Sequence, residues 1–430
     1  MFDAVIVGGG LAGLYAAFCL APTARVAIVE REATLGGRAR VQHFAGTTVP
    51  TGAGIGRKAK DVRLQALAAS LKVPLTEFPV VHTYARDLHC TDAQDVFGAV
   101  KAAWQRDRDR DQSAAPSPKT FAAFAQSVLG AETYARFVAC SGFTDYERAD
   151  AEDVLFNYGF EDNSGTWTGL GVPWAKLIEA LRKHVGARRG CVIVPRCTAT
   201  KLLWSHRCGA YGVVVSEASG RRGFLRARAV VLATDIHTVR ALLPDQPLYR
   251  HVHSQPFTRL YAQFRGHSAK VMQAAIKGVT AVAGPLQKII RMTDTVFMVA
   301  YADNASAEAV RRDARDPTAI ARRLEDALRL PRNSLTIHRL KDIYFQAGTH
   351  YNDPGLAVHP GFSRDALQSP RPGLFVIGEA VAVHQGWVEG ALESVDAVLP
   401  RLQSWVAAHG ADARVSMAEK LMWGRDKQHL

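Results

Sequence analysis

Three glycines near the start of the chain, Gly8, Gly10 and Gly13, stand in a GxGxxG spacing with Leu11 and Ala12 between them. That spacing suits a loop that cradles a diphosphate. The first glycine permits a tight turn, the second lets the backbone approach the pyrophosphate, and the third lets a helix pack closely on a strand. The N-terminus of such a helix offers free N–H groups and a partial positive charge to the phosphates. Glu30 ends the next apolar run, about 20 residues on, where a carboxylate can hold ribose hydroxyls; Arg31 follows it as a further cofactor contact. The chemistry indicated is dinucleotide binding. The loop alone does not separate a nicotinamide from a flavin dinucleotide.

The elements that must hold these groups are legible around them. Phe2 to Val7 reads as a buried parallel strand, a helix runs to about Leu20 before Pro22, and Arg25 to Val29 is a second strand. Together they form a βαβ unit. The pattern from Val96 to about Gly186 is mainly helical, around Phe121–Leu129, Glu132–Ala139 and Pro173–Val185. It includes an Arg-Asp alternation from Gln105 to Asp111 and a Ser/Pro stretch from Ser113 to Pro118, read as a solvated excursion. Strands follow at Val213–Ser216, Ala229–Leu232, Leu260–Phe264, Lys288–Met292 and Val296–Tyr301, with a helix at Ala307–Leu328. Leu374–Ile377 is again a short buried strand, and a helix runs from about Glu389 to Trp405. The fold class is α/β. A discontinuous Rossmann-type dinucleotide domain (1–80, 188–245 and 365–430) is interleaved with a mixed-sheet-plus-helices substrate domain (81–187 and 246–364).

Composition bounds the rest. The 430 residues are 48% hydrophobic and 22% charged, an ordinary globular balance. The net charge of +13 is spread along the chain without a basic block interleaved with aromatics, so a nucleic-acid partner is not indicated. The six cysteines (Cys19, Cys90, Cys140, Cys191, Cys197, Cys208) form no CxxC pair and read as reduced thiols of a cytoplasmic protein. Met1 leads directly into a strand, which leaves no signal peptide, and no apolar run is long enough for a membrane span. The segment Arg401 to Leu430 reads as a surface helix, with peripheral membrane contact as the alternative role. No metal cluster is indicated, and oligomeric state is left open.

The residues after Glu30 decide the dinucleotide. Leu35-Gly36-Gly37-Arg38 adds a second close-approach turn and a guanidinium suited to pyrophosphate. This GGR extension resembles the flavin amine oxidase family, which includes monoamine, polyamine and L-amino-acid oxidases. Thr51-Gly52-Ala53-Gly54 resembles the family's turn beneath the isoalloxazine. Leu374 to Glu379 resembles its strand and Gly378-Glu379 turn, and Gly386-Trp387-Val388-Glu389-Gly390-Ala391 resembles its closing motif. The resemblance places adenine near Ala199 and a helix N-terminus, at Val388, on the flavin's pyrimidine edge.

What the resemblance implies is FAD bound non-covalently, since Thr349 stands where monoamine oxidases carry their linking cysteine. The implied reaction is oxidation of a C–N bond by hydride transfer to flavin N5, with imine hydrolysis and O2 reoxidation to H2O2. Two aromatic walls flank the amine in that family. Trp387 matches one, and His350 or Tyr351 is expected at the other. Arg259 stands at the position of the family's flavin-facing lysine, and Lys288 is a second candidate near the site. Two other readings stand beside a general amine oxidase. One is an enzyme like the L-amino-acid oxidases and monooxygenases, with Arg57 or Arg259 clamping a carboxylate. The other is a scaffolding FAD protein, kept open by the lysine-to-arginine departure.

Overall fold

The computed structural model describes residues 1–85, 88, 90, 93–110, 119–159, 166–205, 209–410 and 422–424. Its first sheet grows from the runs the sequence marks as apolar. Phe2–Val7 is buried at every position. It pairs in parallel with Val26–Val29, Ala4 opposite Val26, and with the end of Arg222–Leu232, Phe2 opposite Ala227. Strands covered on both faces have no polar side to alternate with, so continuous apolar runs are what such a sheet requires. Val192–Val194 extends it past Val26–Val29. Leu374–Val376 joins on the far side of Arg222–Leu232, and an antiparallel meander through Ala210–Glu217 and Cys197–Ser205 completes it. Leu14 and Ala17 of helix Leu11–Leu20, Leu177 and Leu181 of helix Trp174–Gly186, and Leu392 and Val395 of helix Val388–Gly410 share one core on this sheet.

The second sheet runs in the order Ile337–Asn352, Val252–Phe264, Val296–Asp303, Lys288–Arg291, Val279–Ala281, Thr76–Tyr84, Thr166–Gly171, Ile55–Arg57. One of its faces buries Leu260, Phe264, Ile289 and Phe297 against helices Asn304–Asp313 and Pro317–Ala327, through Val310, Ile320 and Leu324. Helices Ala93–Arg110, Phe121–Leu129, Ala131–Ser141 and Ala151–Asn157 enclose a separate, aromatic core of Phe97, Trp104, Phe121, Phe124, Phe137 and Tyr146.

Several expectations are corrected. The 1–80 segment does not belong wholly to the first sheet, because Ile55–Arg57 and Thr76–Tyr84 pair in the second. Helix Trp174–Gly186, assigned to the substrate unit, instead buries its apolar stripe on the first sheet. The single helix expected at Ala307–Leu328 is two, because Pro317 takes the first turn of a new helix and Asp316 caps it by accepting the Thr318 and Ala319 amides. Among the described residues the last helix ends at Gly410, and a strand, Met422–Gly424, lies on Arg222–Phe224. Gln105–Asp109 continues an exposed helix, whereas 111–118 and Cys208 lie outside the described residues. Cys90 and Cys140 form a disulfide, their Cα atoms 5.6 Å apart. The fold brings together two cysteines that are 50 residues apart in sequence, and cysteine usage no longer argues for a reducing compartment. Among the described residues no helix is long and apolar enough to cross a membrane.

Candidate functional site

One cavity of about 1150 Å³ runs from the carboxyl ends of the first sheet's strands to a face of the second sheet. Its near half is built from backbone. Gly8, Gly10, Leu11, Ala12, Glu30, Arg31, Gly37, Arg38, Ala53 and Ala199 all line it. Gly8 has φ +109, and a Cβ there would fall 2.3 Å from the Ala233 carbonyl oxygen. Gly13 does not reach the cavity. A Cβ on it would sit 2.0 Å from the Gly8 carbonyl oxygen, so its hydrogen is what lets the helix start against the loop. Glu30 accepts the Gly9 amide at 2.7 Å and the Glu32 amide at 2.8 Å, one on each oxygen. A carboxylate has about four acceptor positions, which leaves it capacity for hydroxyls. Glycines where side chains cannot fit, a helix N-terminus at Leu11 and a buried acid make a cradle of dinucleotide shape and polarity.

Three segments far apart in sequence are tied together at the cavity's waist. Arg38 donates to the Gly348 carbonyl at 2.5 Å and to Glu379 at 3.0 Å. Glu379 also accepts the His350 amide at 2.9 Å, the Gly386 amide at 2.7 Å and His350 Nδ1 at 2.5 Å. The Ile236 amide donates to His350 Nε2, which puts the imidazole proton on Nδ1. Burial opposes ionisation of Glu379, but His350, the Arg38 charge and the hydrogen bonds from His350 and Gly386 prevail and hold it at about 2. Gly378 and Gly386 take φ +110 and +86, and the helix beginning at Val388 points its N-terminus into the cavity beside Trp387. The Trp387 indole donates to Asp61 at 2.8 Å.

The far half is built from side chains on one sheet face. Register places Phe257 opposite Asp303 and Phe345, and Arg259 opposite Tyr301 and Ile343. Residues two apart on a strand share a face, so these six stand together at the cavity wall. Arg259 is 3% exposed. Its guanidinium lies 4.3 Å from the Tyr301 ring centroid and 5.8 Å from that of Phe257. Its Nε has no hydrogen-bond partner, and no carboxylate lies within ion-pair distance among the described residues. Gly54 leaves room for it, since a Cβ there would come 3.3 Å from NH1. Phe143 and Asp145 enter the wall from the loop after helix Ala131–Ser141. Lys288 sits behind them, 2% exposed, with Nζ 3.1 Å from the Phe143 ring centroid and its stem against Gly142. Burial pulls Lys288 down to about 7 against the attraction of Asp145 and Asp303. Burial and the Asp303 charge push Asp145 up to about 7.

The expected site residues are therefore partly assembled. Trp387, Val388, Gly378 and Glu379 line the cavity with the glycine loop, and so does Arg259. His350 and Tyr351 do not form a second wall. The strand's alternation turns His350 toward Glu379, where its side chain is wholly buried. Tyr351 stacks on His253 at 5.3 Å and packs at the helical core. Lys288 stands behind the wall rather than in it. Arg57 is spent on Asp61, donating to it through the amide, Nε and NH2. The aromatic surface is supplied instead by Phe143, Phe257, Tyr301 and Phe345, which sequence reading passed over along with Asp145 and Asp303. Only the alternation of Phe257 and Arg259 in one strand hinted at a shared face.

Residues 11–395 match the family described as flavin containing amine oxidoreductase. Two solved structures from a redesign of cofactor binding in putrescine oxidase share the fold. A triple mutant superposes with TM-score 0.70 at 15% identity, covering 94% of this chain and 99% of that one. A single mutant gives 0.72 at 14% identity over the same shares. No curated protein matches by sequence. The chain belongs to the flavin-containing amine oxidoreductases. It is an FAD-dependent oxidoreductase, and the glycine cradle with Glu30 and Arg38 fits that cofactor.

Proposed function

We propose that the protein oxidises a C–N bond of a small amine, with hydride passing to flavin N5, water hydrolysing the imine and O2 as electron acceptor. The observation that carries this reading is the continuity of one cavity, from the dinucleotide cradle past Trp387 to an aromatic wall. FAD supplies the hydride-accepting ring. Trp387 and the wall of Phe257, Tyr301 and Phe345 orient the substrate and exclude water, which strengthens every charge interaction within. The N-terminus of helix Val388–Gly410 favours negative charge at its end of the cavity. FAD is held non-covalently, supported by Thr349 on the cavity wall and by the absence of cysteine from 346–352. Flavin that stays with acid-precipitated protein would overturn that point.

A second reading, an acid-bearing amine such as an L-amino acid, is favoured by Arg259. A buried guanidinium without a carboxylate partner is costly, by several kcal/mol, and a substrate carboxylate would relieve it. The test is a peroxide-release screen over polyamines, aromatic monoamines and L-amino acids, with anaerobic flavin reduction followed in parallel. Reduction by a member of the panel supports the reading. No turnover and no reduction across it returns the protein to a scaffolding role.

A further inference from the structure

An amine enters as an ammonium ion, and hydride leaves its α-carbon only once the nitrogen is neutral. The proton must therefore pass either to a group in the cavity or to solvent. Three carboxylates line this half of the cavity, Asp145, Asp303 and Asp342. Asp342 accepts the Thr258 hydroxyl at 2.6 Å, and the surroundings of the other two differ. Asp303 is saturated: it accepts the Thr144 amide at 3.0 Å, the Thr144 hydroxyl and the Gln287 side-chain amide at 2.9 Å. Asp145 accepts only the Tyr158 hydroxyl, at 2.5 Å on Oδ1, and Oδ2 takes no hydrogen bond among the described residues. Its backbone is fixed by Gln255, whose side chain donates to the Asp145 carbonyl.

We propose that Asp145 Oδ2 is the base that neutralises the substrate ammonium, with Lys288 as a positioning residue that sets its charge; this rests on the amine-oxidising reading above. The N–H bond breaks, its proton moves to Asp145, and the electron pair stays on nitrogen, so no redox partner is consumed. The carboxyl returns the proton to solvent after product leaves. The charges acting on Asp145 come from Asp303, Lys288 and Glu379, with Tyr158 bonded to it. Arg259 and Tyr301 stand in the same wall, and His82 feels Lys288 from the strand beyond. With Lys288 and Asp145 both drawn toward neutrality, the acid accepts and releases a proton within the ordinary working range.

The probe is 2-phenylpropan-2-amine, an aromatic amine with no hydrogen on the carbon bearing nitrogen, which cannot donate hydride. Binding to the FAD-loaded enzyme at about pH 8 is followed by difference infrared spectroscopy. The expected result is a protonated-carboxyl C=O band that appears on binding, is missing in Asp145→Asn and is kept in Asp342→Asn. Lys288→Met should raise the pH at which that carboxyl is already protonated before the probe arrives, because an attracting cation is gone. Calorimetry of the wild type in two buffers of different ionisation enthalpy gives a second measure that needs no variant. Internal transfer releases close to no protons, and release of about one proton places the acceptor in the solvent. An unchanged carboxylate signal, a band that survives Asp145→Asn, about one released proton, or no saturable binding each overturns the assignment. The probe is never oxidised, so these outcomes stand apart from the substrate screen.

Discussion

The two halves of the cavity are built on different principles. The cofactor half is specified by backbone: glycines such as Gly8 and Gly13 that admit no Cβ, helix N-termini and two buried acids, Glu30 and Glu379. The substrate half is specified by side chains that three strands present on one face, joined by a loop from the helical core. A backbone cradle tolerates almost no change at its glycines. A side-chain wall can be rewritten residue by residue while the sheet beneath it stays. The contrast teaches that the cofactor is matched by the first half; on the proposed amine-oxidising function, substrate choice falls to the second.

The largest break in that contrast is Gly13→Val. Its Cβ would lie 2.0 Å from the Gly8 carbonyl oxygen, which is backbone and cannot step aside. FAD affinity should fall by more than about 100-fold, read as the flavin-to-protein absorbance ratio after gel filtration. Retention of a full complement of flavin would show that the loop is softer than this geometry allows.

Glu379→Gln follows. It removes the charge that Arg38 and His350 share and should cost on the order of 3 kcal/mol. The wild type should show the same loss with acid. The Glu379 pKa is depressed from 4.5 to about 2, so its stabilisation is complete above about 4.5 and disappears as pH falls toward 2. Thermal melts of the FAD-loaded protein over that window check the sign, and the Gln variant should flatten the slope.

These differences explain what was legible in the sequence. Gly8, Gly10, Gly13 and Glu30 are read easily because their spacing is local and each residue type has one reason to be there. The same holds for Gly378-Glu379 and Trp387, whose roles attach to a turn and a helix start. The wall was not legible because it depends on register. Arg259 meets Tyr301 and Ile343 only through pairing across about 40 and 80 residues, and nothing local announces that. His350 misled for a related reason: one step along a strand exchanges cavity for core, so Thr349 lines the site while His350 bonds to Glu379. The Cys90–Cys140 bridge likewise joins elements whose proximity is tertiary.

Arg259→Met sharpens the contrast from the other side. It keeps an apolar chain in the wall and removes the charged group that lies over the Tyr301 and Phe257 rings. If a substrate carboxylate meets the guanidinium, KM for that acid should rise about 10- to 100-fold, and KM for a simple alkylamine should rise far less. Flavin content should stay near that of the wild type, because the cradle is untouched. Equal losses for both substrates would assign Arg259 to the cofactor half.

The smallest effect is expected where the halves meet, at Trp387→Phe. The indole N–H donates to Asp61, a carboxylate with no exposed surface. Losing that donor does not strand the acid, because the Arg57 amide and guanidinium still hold it. The cost should therefore be that of one replaceable hydrogen bond, about 1 kcal/mol, seen as roughly a 5-fold fall in kcat/KM. Phenylalanine keeps an aromatic face beside Val388, so a wall that acts by shape and exclusion of water survives. A loss beyond about 100-fold would mean that the indole itself, through its bond to Asp61, sets the position of the helix N-terminus at Val388, and that the boundary between the two halves runs through this side chain.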